Sequence, residues 1–83
     1  MTRALAIDTP LDCVIRAVGT LDPAWADRLG GLRVRAVGHE APELELRGRL
    51  LDQAALLGVL VTLYDLGLPL RSVVCDAVAD PAA

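Results

Sequence analysis

The stretch from Asp52 to Cys75, DQAALLGVLVTLYDLGLPLRSVVC, constrains this fold most, because a long apolar helix pattern there has both ends marked. Asp52 is suited to cap the N-terminus and Gly67 to stand just past the C-terminus. That leaves a body of about fourteen residues, and Pro69 forbids continuation. A helix followed by a strand is predicted. Around the helix Leu56, Leu60 and Leu63 form one stripe and Leu57, Val61 and Tyr64 a second, while Gly58, Thr62 and Asp65 make only a narrow third. An ordinary surface helix is apolar over about a third of its circumference. This one carries more apolar surface than a single sheet covers, so a second covering layer is expected. The simplest is another copy of the chain, with Leu57, Val61 and Tyr64 as the contact together with Val14 and Val18. The alternative is the N-terminal segment folded over the extra face.

Eighty-three residues make one domain, near the lower size at which a core stands without staples. The hydrophobic fraction is 54%, yet Phe is absent and there is one Trp, one Tyr and one Met, so the core must be built from Leu, Val and Ala. A net charge of −3 opposes nonspecific binding to DNA or RNA, which makes nucleic acid a disfavoured partner. Ala4 to Ile7 is too short an apolar run for an export signal, and the organising helix falls short of the ~20 residues that span a bilayer. A soluble, cytoplasmic protein without membrane contact is expected. Cys13 and Cys75 show no metal-ligand spacing, and the single His39 completes no zinc set with them, so two reduced core cysteines are expected.

In chain order, residues 1–12 read as an arm, 13–78 as one α+β domain and 79–83 as a fraying tail. From Cys13 to Leu21 the alternation around Arg16 predicts a strand, with Ile15 and Ala17 on one face and Val14 and Val18 sharing the other with Arg16. Asp22-Pro23-Ala24-Trp25-Ala26-Asp27-Arg28-Leu29-Gly30-Gly31 then predicts a helix of about two turns: Asp caps it, Pro opens it and glycine ends it. Leu32, Val34 and Ala36 alternate with Arg33 and Arg35, and Leu44, Leu46, Gly48 and Leu50 with Glu43, Glu45, Arg47 and Arg49. This is the clearest period of two in the chain and predicts a hairpin with one buried face. Its five-residue turn sets Arg35 opposite Glu45 and Arg33 opposite Arg47, a solvated face with one cross-strand ion pair. Leu70 to Val78 is the last strand. The order strand, short helix, strand, strand, long helix, strand predicts a ferredoxin-like β-α-β-β-α-β sandwich on a four-stranded antiparallel sheet. In that topology the first and last strands are neighbours, so Cys13 can approach Cys75, and a disulfide there is possible but disfavoured in a reducing compartment. The short first helix covers only part of the sheet and leaves room for a partner.

The segment G-R-L-L-D-Q-A-A-L-L-G-V-L-V-T-L-Y-D-L-G-L-P-L-R-S-V, residues 48–73, resembles the opening strand, helix and second strand of ACT-type regulatory domains. The resemblance implies the ferredoxin-like topology, pairing into larger sheets and an amino-acid ligand at the subunit interface near the first loop. The positions that would hold it are Asp52 and Gln53. The family's glycine after the Asp is absent here, where Gln53, Ala54 and Ala55 follow Asp52. A broader pattern, D-P-A-W-A-D-R-L-G-G at 22–31 with D-Q-A-A-L-L-G-V-L at 52–60 and D-L-G-L-P-L-R-S-V at 65–73, resembles a group of small uncharacterised bacterial proteins and implies no activity.

Catalysis requires a nucleophile, a base in reach of it and a group orienting the base. The one imidazole, His39, falls in the hairpin turn, and Ser72 follows Arg71 with no nucleophile-elbow pattern, so no catalytic residue is expected. Asp22 and Asp27 are read as a cap and a solvated charge, with no metal or cofactor. Gly30-Gly31 lacks the Lys and following helix of a phosphate loop. The arginines at 33, 35, 47 and 49 lie on strands without the aromatics on which RNA bases stack. Trp25 is read as a core residue or an interface lid. Two functions follow as expectations. The first is a noncatalytic, self-associating regulatory or protein-interaction module, a homodimer that can meet another protein. The alternative is an ACT-like sensor binding a small polar metabolite such as an amino acid at the subunit interface.

Overall fold

The structure, a computed structural model, describes residues 9–78. Strand β1 (Leu11–Val18) leads through a 3-10 segment, η1 (Pro23–Arg28), into the hairpin β2 (Arg33–Ala36) and β3 (Glu43–Leu50). Helix α1 (Gln53–Asp65) and strand β4 (Leu70–Ala77) follow. The four strands form one antiparallel sheet in the order β2-β3-β1-β4. Of the segments read as arm and tail, residues 1–8 and 79–83 lie outside the described residues.

The two-helix ferredoxin-like sandwich expected from the sequence is not what forms. Among the described residues there is one α-helix, of 13 residues, and no long second helix. At a 1.5 Å rise per residue α1 is about 20 Å long. The first predicted helix is six residues of 3-10 structure. Gly30 and Gly31 stop it at φ 67 and 75, a left-handed backbone that side chains with a Cβ avoid. At Gly30 a Cβ would also stand 2.7 Å from Leu50 Cδ2 and 3.2 Å from Val59 Cγ2, so the glycine lets this turn close onto the core.

Helix α1 is terminated as its sequence dictates. The Asp52 carboxylate accepts a hydrogen bond from the Ala55 N–H at 2.8 Å. At the other end the Gly67 N–H donates to the Tyr64 carbonyl and the Leu68 N–H to the Leu63 carbonyl, the paired bonds of a Schellman stop. The helix packs on one face of the sheet. Leu11, Cys13, Ile15, Leu44, Leu46 and Leu50 from the strands join Leu29, Leu32, Val59 and Leu63 in the buried core. The hairpin register sets Arg35 opposite Glu45 and Arg33 opposite Arg47, as the alternation and turn length require.

The expectation of two reduced cysteines is corrected. Cys13 and Cys75 are directly opposite in the β1–β4 register and form a disulfide across a separation of 62 residues. Their Cα atoms are 4.2 Å apart, nearer the ~4.5 Å of a non-hydrogen-bonded antiparallel pair than the ~5.5 Å of a hydrogen-bonded one. Both side chains leave the sheet on its helix side, so adjacency in the register brings the sulfurs together.

Candidate functional site

Two surfaces stand out. The first is apolar. In α1, Val59 and Leu63 are buried and Leu56 and Leu60 half-buried. At 3.6 residues per turn, Leu57, Val61 and Tyr64 fall on one flank, about 100° round from that inward stripe. Val59 lies on the other flank and meets Gly30 beside η1, so the Leu57 flank looks away from η1, toward β4. On β4, Leu70 and Val73 pair with the fully buried Ala17 and Ile15 and therefore point to the helix side. They stay partly exposed, and α1 packs chiefly on β3. Leu57, Val61, Tyr64, Leu70 and Val73 remain 60%, 56%, 82%, 47% and 38% exposed. All five lie on the helix side of the sheet, on the outer flank of α1 and on the edge strand β4.

The second surface is the other face of the sheet, which no helix among the described residues covers. Glu45 is only 5% exposed and is held by Arg16 at 3.3 Å, Arg35 at 3.2 Å and Arg47 at 3.6 Å. Glu43 takes Arg16 at 3.7 Å and Arg71 at 3.5 Å, and Arg49 reaches Asp12 at 3.4 Å. Arg71 is the extra residue of the irregularity in β4 opposite Arg16 and Ala17, which places it within reach of Glu43. The single cross-strand ion pair read from the hairpin is therefore one part of a network reaching all four strands. Glu45 is its hub, so Glu45→Ala is expected to lower stability by about 2 kcal/mol, since hydrogen bonds to charged groups are worth that much when shielded from water. Urea denaturation reads the loss, with Glu40→Ala in the exposed turn as a control within about 0.5 kcal/mol of wild type.

The residues named from sequence are thus distributed over both surfaces. Leu57, Val61 and Tyr64 share the α1 flank, whereas Val14 and Val18 lie on the open sheet face with Arg16, on the opposite side of the molecule. One contact cannot contain both sets. Asp52 and Gln53 sit side by side at the start of α1, with the Asp52 carboxylate engaged in capping and Gln53 exposed. Asp22 accepts from the Ala24 N–H at 2.9 Å, a capping role, and Asp27 is exposed. His39 is exposed in the β2–β3 turn, and Ser72 lies opposite Arg16 on the open face. Trp25 is half-buried beside the Arg28 guanidinium, 4.9 Å from its ring centre. Among the described residues, no group of His, Cys, Asp and Glu is placed to hold a metal ion, and no helix is long and apolar enough to cross a membrane.

Sequence reasoning missed Leu70 and Val73 as part of the apolar surface, and Arg16 and Arg71 as partners of the hairpin carboxylates. Both depend on strand neighbours distant in sequence. The one available signal was the shortness of the segment between Asp22 and Gly30, which bounds how much of the sheet can be covered.

From Asp12 in β1 to Val74 in β4, the chain matches the model of a domain of unknown function, DUF8691. It belongs to that family. The matched span holds both surfaces apart from residues at their edge, and Cys75 falls one residue beyond it. No curated protein and no solved structure matches the chain. Family membership carries no activity with it.

Proposed function

We propose that the protein is a noncatalytic module that associates with a second copy of itself through the exposed apolar side chains of α1 and β4, as a homodimer in a regulatory or protein-interaction role. The observation that carries this reading is the exposure of five apolar side chains, Leu57, Val61, Tyr64, Leu70 and Val73, on one side of the molecule. An isologous contact sets a patch against itself. These five side chains carry no charge, so two copies meet there without like-charge repulsion. The open sheet face, rich in arginine, has no such freedom. Val14 and Val18 are left outside this contact by their position on that face.

Light scattering at micromolar concentration tests the reading. Wild type is expected at twice the 8.8 kDa chain mass and Leu57→Glu at the single-chain mass with its secondary structure intact. Leu57 is exposed in one chain, so the substitution strikes the contact and spares the core. A wild-type mass of one chain removes the proposal and favours cover from within the chain.

The cytoplasmic setting expected from the sequence goes with reduced cysteines, whereas a closed Cys13–Cys75 bridge belongs to oxidising compartments and is rare in the cytosol. Localisation in this reading follows the redox state of that pair.

A further inference from the structure

The open face of the sheet carries six arginines (Arg16, Arg33, Arg35, Arg47, Arg49, Arg71) against four carboxylates (Asp12, Glu43, Glu45, Asp76), an excess of two positive charges in a chain whose net charge is −3. The excess is localised. Arg33 has no ion pair among the described residues and stands directly opposite Arg47, whose one ion-pair contact is through Nε to Glu45. Like charges directly opposite on a sheet repel. An anion lying across the two guanidinium groups removes that repulsion and finds donors already in place.

The same row of the sheet continues from Arg47 to Val14 and then to Val74. Two concavities meet at Arg47. One of about 300 Å³ is lined by Arg33, Arg35, Glu45 and Arg47, and one of about 360 Å³ has Val14, Arg47 and Val74 along the row, with Asp12, Asp76 and Arg49 among its remaining walls. The row is thus cationic at its β2 end and apolar at its β4 end. With strands about 4.8 Å apart, the centres of the two halves are separated by two strand spacings, about 10 Å.

We propose that this row binds an aliphatic carboxylate, its head group across Arg33 and Arg47 and its chain over Val14 and Val74. A bare phosphate would leave the apolar half unused, and the face carries no aromatic side chain for a nucleic-acid base to stack on. A chain of about eight carbons matches the 10 Å span given by the strand spacing.

Titration of ¹⁵N-labelled protein with butanoate, hexanoate, octanoate and octanol, followed by amide shifts, tests the assignment. Octanoate should give saturable shifts at Val14, Arg33, Arg47 and Val74. A fully buried methylene strengthens binding about fourfold, so chains half-buried on this surface should gain about twofold per methylene, or about sixteenfold from butanoate to octanoate. Octanol should bind more weakly than octanoate. Arg33→Gln should weaken octanoate about fivefold, the upper end for an exposed ion pair. Because Arg33 has no ion pair among the described residues, this variant should melt as wild type does, and Val74→Ser provides a second variant that should flatten the chain-length dependence. Equal affinity for butanoate and octanoate, equal affinity for octanol, no saturable shift, or shifts confined to α1 and Leu70 would each overturn the assignment.

Discussion

Replacing Cys13 and Cys75 together with serine is expected to lower the free energy of unfolding by about 4 kcal/mol. A cross-link restricts the unfolded chain more as its loop lengthens, from about 3 kcal/mol for 15 residues to about 4.7 for 100. The separation here is 62 residues. For a domain of this size each 1 kcal/mol moves the melting temperature by about 4–8 °C, so a fall of at least about 15 °C should follow. Because domains of this length are stable by only about 5–10 kcal/mol, the serine variant should be close to marginal. The bridge also ties β4 to the centre of the sheet. Its loss should therefore appear first as faster amide exchange in β4, an edge strand whose inner face is only partly covered. Thermal unfolding of wild type with and without reductant gives the same comparison without mutation. Equal melting temperatures, with both cysteines open to alkylation in the untreated native protein, would show that the bridge is not formed.

Leu63→Ala should cost about 3 kcal/mol, within the range for a leucine truncated in a packed core. Leu63 is fully buried and sits in the core with Ile15, Leu46 and Leu50 from the sheet. Leu57→Ala lies six residues earlier in the same helix and removes the same atoms, yet Leu57 is mostly exposed in one chain. At concentrations where the protein is monomeric, Leu57→Ala should therefore change stability by no more than about 0.5 kcal/mol. Where copies associate, its cost should grow with protein concentration, because association stabilises the folded chain by mass action. Urea denaturation of both variants across a concentration range checks the contrast. Equal losses at every concentration would mean that the Leu57 flank is covered within the chain.

Much of the fold was legible in local chemistry. Asp52 and Gly67 bounded α1 because capping and left-handed glycine act within a few residues. The hairpin register followed from strict alternation and from the number of turn residues between Ala36 and Glu43. The first helix was misread for an equally local reason. Asp22, Pro23 and the Gly30-Gly31 pair mark two ends correctly, but six residues between them support only 3-10 structure, and so one α-helix, not two, stands on the sheet. The exposed apolar surface was half legible. Leu57, Val61 and Tyr64 announced themselves by helical spacing, whereas Leu70 and Val73 looked like ordinary strand residues until strand order put them on a partly covered stretch of sheet. Val14 and Val18 were grouped with the helix stripe because apolar character alone does not say which side of a sheet a helix occupies. The ion-pair network and the disulfide both join β1 to residues far away in sequence, and no local pattern announces such pairs.

The most direct test of self-association through the apolar side chains of α1 and β4 is an isotope-filtered NOE experiment on equal parts labelled and unlabelled protein. Cross-peaks between copies from the Tyr64 ring to the methyl groups of Leu57, Val61, Leu70 or Val73 are the expected result. Cross-peaks between copies that involve only the open sheet face, or none at a concentration where light scattering gives the single-chain mass, would contradict it.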